Sequence, residues 1–149
     1  MLSLVGPENG HLNFTNPSAV LDPSNSSKQY VAPDGAHEWL SWLQRHPTLQ
    51  TSEPVPVSVG GASGMQMDVM LGSSTLDSYP RDLCGKQPCV PLYPMRDESG
   101  IVSGEGWKDR FVIVEVANQT VLIDIAAPAA KFDEFLPKAR KLLKSIERA

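Results

Sequence analysis

Residues 111–146 constrain this chain more than any other stretch, because they read as two hydrophobic strands followed by an amphipathic helix. The strands Phe111-Val-Ile-Val-Glu-Val116 and Val121-Leu-Ile-Asp-Ile125 flank the polar turn Ala117-Asn118-Gln119-Thr120. Strand side chains alternate between faces. A loop at Asn118-Gln119 therefore puts Val112, Val114, Val116, Val121, Ile123 and Ile125 on one core face. Phe111, Ile113, Glu115, Leu122 and Asp124 share the other face, whose mixed character predicts partial cover or a groove. From about Lys131 a helix presents Phe132, Phe135, Leu136, Ala139, Leu142, Leu143 and Ile146 as one apolar stripe. Lys138, Arg140, Lys141 and Lys144 take its solvent side and suit the negative end of the helix dipole. Pro137 would lose a mid-helix hydrogen bond, so the regular helix should begin near Asp133 or kink there.

A chain of 149 residues is most simply one domain. It is long enough to fold without metal or disulfide support. Residues 1–10 read as a loose N-terminal end. His11 to Phe14 alternates like a strand, with Leu12 and Phe14 on one face. A meandering polar segment through Ser24–Lys28 then leads to Pro33. Asp34 suits the N-cap of a helix through Arg45 or His46, with Ala36, Trp39, Leu40 and Leu43 on its buried stripe. Trp39 and Trp42 should pack that helix onto a sheet. Val55, Val57 and Val59 face Val69, Met67 and Met65 across Gly60-Gly-Ala-Ser-Gly64, a register that puts every apolar residue on one face. Pro54 and Pro56 make the first of these an edge strand. Leu71 to Asp82 reads as a loop. Val90 to Met95 is another edge-like strand, Asp97 to Gly100 a turn, and Ile101 to Glu105 a short strand.

The formal net charge of −4, with no basic run outside the last helix, argues against nucleic acid. No stretch approaches the length of a membrane span. The start, Met-Leu-Ser-Leu-Val, is too short and lacks the basic region of a signal peptide. A membrane connection is expected only through an anchor upstream of this sequence. Cys84 and Cys89 lie in Cys-Gly-Lys-Gln-Pro-Cys, where Gly and Pro can bring the two Cα atoms within disulfide range. A structural disulfide, which would place the protein outside the cytoplasm, is the first reading. Free thiols and reactive or metal-bound cysteines are the alternatives.

The sequence shows little catalytic chemistry. His37-Glu38 lacks the second histidine of a zinc helix, Ser63 is not in a nucleophile elbow, and no cofactor or metal is expected. Glu115 and Asp124 are the one carboxylate pair on a shared face, in diagonal positions of adjacent strands where a general acid and base could cooperate. The bland alternative is that both are solvated and paired with Lys108 or Arg110. Tyr93 and Trp107 join Glu115 and Asp124 as candidate ligand-binding residues. Asn13-Phe-Thr, Asn25-Ser-Ser and Asn118-Gln-Thr match the glycosylation triplet and are expected in turns.

The order strand, helix, hairpin, cysteine loop, hairpin, terminal helix, with Phe135, Leu143, Ser145 and Ile146 in the last helix, resembles the PsbP-like class of domains. It is similar in particular to bacterial extracytoplasmic versions found in lipoproteins (the LpqN type). The resemblance is best over Phe111–Ile146, fair over Asp34–Leu71 and poor before Asp34. It implies an antiparallel sheet layered with helices and a binding or accessory role, and it supplies no catalytic motif. The expected fold is therefore α+β: a mostly antiparallel sheet of five to seven strands with a helix from the N-terminal half and the C-terminal helix packed on it. The expected function is a non-enzymatic extracytoplasmic module for a protein partner or an apolar small molecule. A small hydrolase or isomerase using the Glu115/Asp124 face is the first alternative. A sensor or structural domain from a longer membrane-anchored protein is the second.

Overall fold

The computed structural model describes residues 2–5, 10–72, 89–94, 99–102 and 105–146. Its strands are β1 (Leu2–Val5), β2 (His11–Thr15), β3 (Ala19–Asp22), β4 (Asn25–Val31), β5 (Leu49–Thr51), β6 (Val55–Val59), β7 (Ala62–Leu71), β8 (Val90–Pro94), β9 (Ser99–Val102), β10 (Trp107–Val116) and β11 (Gln119–Pro128). Helix α1 (Gly35–Arg45) follows β4, and helix α2 (Phe132–Ile146) follows β11 through a 3-10 turn at Ala129–Lys131. Seven strands form one antiparallel sheet in the order β1-β2-β11-β10-β7-β5, with β6 also paired to β7. Two further hairpins, β3–β4 and β8–β9, stand apart from it. The expected α+β class and mostly antiparallel sheet with two helices are therefore present.

Period-two alternation divides the sheet's side chains between the two helices. Helix α1, assisted by β3 and β8, covers one face, where Trp39, Leu40 and Leu43 meet Met67, Val69, Phe111, Ile113 and Leu122. Helix α2 covers the other, where Phe132, Phe135, Ala139 and Leu143 meet Leu12, Val112, Val114, Ile123 and Ile125. The faces of the β10–β11 hairpin thus match the sequence pattern, and Trp39 is buried against the sheet as expected. Asp34 is the N-cap of α1, although its side chain makes no capping bond.

Several expectations need correction. The β10–β11 turn is Ala117-Asn118, both with positive φ (48° and 62°), rather than Asn118-Gln119. This displaces the register by two residues and so keeps the faces. The β6–β7 hairpin turns tightly at Gly60-Gly61, whose φ values of 59° and 78° suit a two-residue connection that glycine enters without steric cost. Val55, Val57 and Val59 therefore pair with Gln66, Gly64 and Ala62. That odd displacement sends the valines to the α2 face and Met65, Met67 and Val69 to the α1 face. Leu2–Val5, expected within a loose end, pairs with β2 as an edge strand.

The segment expected to meander contains β3–β4, closed by an Asx turn. Asp22 Oδ1 accepts from the Ser24 N–H (2.8 Å), the Ser24 hydroxyl (2.6 Å) and the Asn25 N–H (3.1 Å). Helix α2 begins at Phe132, one residue before the expected Asp133, and contains Pro137. Leu142 leaves its stripe for solvent. Asn13 lies in β2 and not in a turn. Cys84 and the segments 73–82 and 97–98 lie outside the described residues, and so do the cysteine pairing and most of the expected 71–82 loop; Leu71 ends β7, and Ser99 and Gly100, expected in a turn, begin β9. Cys89 itself is buried.

Candidate functional site

The predicted Glu115/Asp124 pair is not formed. Glu115 faces Thr120 beside the hairpin turn and is exposed, near Gly35, whose N–H donates to Thr120 Oγ1 (3.0 Å). Asp124 faces Phe111, four residues further along the ladder and so about 13 Å away. The two-residue register difference separates them. The carboxyl that does meet Asp124 is Asp109, diagonal to it on the same face and fully buried.

Asp109 and Asp124 share a hydrogen bond in the α1-side core, and Asn13 of β2, directly opposite Asp124, adds a second to it. Burial, then the neighbouring Asp109 charge, push the Asp124 carboxyl well above the usual carboxylate range. Two adjacent buried carboxyls cannot both ionise cheaply, so the pair retains a proton. Tyr93 closes over this cluster, edge-on to Trp39 at 6.4 Å between ring centroids. Its hydroxyl is pushed up by burial and by the two acids. Trp107 stands at the same end of the face, stacked on His11 at 5.5 Å. The structure thus gathers Tyr93, Trp107 and Asp124 at one end of the α1 face and leaves Glu115 at the other. Asp124 and Asp109 are only 4% and 0% exposed, which makes the cluster a sealed polar core. Among the described residues, no group of three His, Cys, Asp or Glu side chains is arranged to hold a metal ion.

The opposite face carries an open groove of about 340 Å³ between α2 and the β6–β7–β10 side of the sheet. Val57, Val59, Val112, Ile125 and Leu143 provide its apolar lining; Ser58 and Gln66 add polar groups, and Arg110, Arg140 and Lys144 bring positive charge. It exists because α2 packs mainly along β11, leaving the strip towards β6 uncovered. The tight Gly60-Gly61 turn supplies the floor, since it is what turns Val57 and Val59 to this side.

Arg110 is held in place by Asp68 through two bonds, Nε to Oδ1 at 2.6 Å and a second guanidinium nitrogen to Oδ2 at 3.0 Å. Lys108 joins the same carboxylate at 3.2 Å and lies over the Phe132 ring. Partial burial alone would raise the Asp68 pKa, but the bonds and charges of Arg110 and Lys108 outweigh it and hold the group below its ordinary value. Arg140 and Lys144, four residues apart on α2, have no salt-bridge partner among the described residues. Sequence reasoning missed this groove because its lining comes from five elements and depends on a hairpin register that alternation alone misplaces. The signal within reach was the Arg140–Lys144 spacing, which puts two cations on one side of the helix stripe.

No protein-family model matches the chain, and no curated protein does.

Proposed function

We propose that this protein is a non-catalytic binding module whose groove on the α2 face holds an apolar small molecule. The observation that carries this reading is an open space of about 340 Å³ floored by Val57, Val59, Val112 and Ile125 beside α2. That volume falls at the small end of the range for ligand pockets, about 300–1,000 Å³. Exposed apolar surface costs free energy in water, and a ligand that covers it recovers part of that cost. In the carboxyl cluster beneath Tyr93, by contrast, both acids are buried.

Titration with Nile red, a neutral apolar dye, tests the reading. Saturable one-to-one binding is expected, weakened about tenfold by Val57→Gln, with the melting temperature little changed because Val57 is only partly buried. Absence of saturable binding would sink it.

The same reading takes the chain as a PsbP-like sandwich of the extracytoplasmic type. Support comes from the order of elements, with α1 and α2 on opposite faces of the antiparallel sheet. Further support comes from the Cys84–Cys89 spacing, which suits a disulfide. No helix among the described residues is long and apolar enough to cross a membrane. Thiol labelling of protein freshly isolated from its native host should find both cysteines blocked until reductant is added. Two freely labelled thiols would count against export.

A further inference from the structure

We infer that the groove selects a single-chain amphiphile with an anionic head, its tail on the valine floor and its head between Arg140 and Lys144. This rests on the groove being the ligand site, and it specifies which ligand chemistry the site prefers.

The charges make the case. In a chain of net charge −4, the groove gathers Arg110, Arg140 and Lys144 against a lining without a single carboxylate. Asp68 reaches Arg110 from beside the groove, and both its oxygens are already engaged by Arg110 and Lys108. Arg110 is thereby oriented and largely neutralised, and Arg140 and Lys144 are left as the groove's two cations with no salt bridge to a described residue. Their i, i+4 spacing sets like charges side by side, a repulsion that an anion seated between them relieves. The opposite pattern occurs at the start of the same helix, where Lys131 is offset by Glu134 at 3.5 Å. Leu143 lies between the two cations in sequence and points inwards to the floor, so head and tail sites are contiguous. Arginine and lysine offer several donors to a carboxylate or a phosphate alike. The head is therefore defined as an anionic oxyacid.

Calorimetric titration of the whole chain with decanoate, decyl phosphate and decanol tests this, with vesicles containing phosphatidic acid as a separate arm. Decanoate and decyl phosphate are expected to bind one-to-one, about tenfold more tightly than decanol and less tightly as salt is raised. Arg140→Gln with Lys144→Gln should remove that tenfold preference, bringing decanoate and decyl phosphate down to the affinity of decanol. Both side chains are exposed, so the melting temperature serves as the folding control. Equal binding of all three amphiphiles, unaffected by the double substitution, would overturn the head-group inference and leave the apolar groove standing. Binding of none would overturn both. Binding to the vesicles alone would also overturn the inference, because it would point to a charged surface patch with no occupied groove.

Discussion

On the α1 face the sheet buries Asp109 and Asp124 against each other, under Tyr93 and beside Asn13. On the α2 face it keeps Asp68 partly exposed between Arg110 and Lys108, beside a groove open to water. Both arrangements arise from alternating residues of the same strands: Asp109 and Arg110 are neighbours in β10, and Asp68 and Val69 in β7. Burial distinguishes them. Carboxyls sealed in a core reduce their charge by holding a proton, whereas a carboxylate near solvent keeps its charge and recruits cations. The first is suited to structure, being inaccessible and fully packed. The second leaves cations at a surface a ligand can reach.

The largest difference should appear in core substitutions. Trp39→Ala, at the centre of the α1 side, is expected to cost about 3–5 kcal/mol in urea denaturation. Leu143→Ala, beside the groove, should cost nearer 2 kcal/mol because one side of its site is already open. Equal costs would mean that the α2 face is packed as tightly as its opposite.

A pH series sharpens the contrast further. The folded Asp124 pKa lies above the unfolded value of about 3.9. Its stabilising contribution is complete below that value and is lost as pH rises through the folded pKa. His46 behaves oppositely. Buried at the end of α1, with Nδ1 2.8 Å from Thr48 Oγ1, it is lowered by desolvation from 6.5 to about 4. Its contribution is complete above about pH 6.5 and is lost as pH falls through about 4. Between these values the two slopes, each up to about 1.4 kcal/mol per pH unit, oppose one another. Where both groups titrate, the pH dependence of stability is therefore expected to be shallow. In Asp124→Asn the amide supplies a permanent donor to Asp109, so denaturation midpoints should no longer decline with rising pH. A variant that retained that decline would place the titration elsewhere. Replacing His46 by Gln should expose the falling slope below pH 6.5 as well.

The smallest effect belongs to the groove's ion pair. Asp68→Asn should cost no more than about 1 kcal/mol, as for pairs near solvent, and it should tighten decanoate binding by releasing Arg110. Weaker decanoate binding in that variant would show that Arg110 must be held by Asp68 to serve the groove.

How much of this was legible in the sequence depends on whether periodicity or register decides the feature. Alternation assigned Val112, Val114, Ile123 and Ile125 to one face and Phe111, Ile113 and Leu122 to the other, because a period of two survives an even shift in register. It also located α1 and its Trp39 stripe. Alternation could not place the turn at Ala117-Asn118, since alanine at positive φ is an unfavoured choice. That two-residue difference replaced Asp109 by Glu115 as the partner of Asp124. Asp109 is further hidden because the apolar run begins only at Phe111, although β10 itself begins at Trp107. At β6–β7, five residues rich in glycine suggested a long loop, and the chain turns on the first two of them. The β3–β4 hairpin escaped notice because Asn25–Val31 is polar and exposed, held by an Asp22 turn and not by an apolar pattern.

Amide chemical-shift mapping during a decanoate titration tests the central claim, that ligand binding belongs to the α2 face and structure to the α1 face. The account predicts saturable shifts at Val57, Val59, Gln66, Val112, Arg140 and Leu143, with Tyr93, Trp107, Asp109 and Asp124 unmoved. Shifts concentrated at Tyr93 and Asp124, with the valine floor silent, would contradict it.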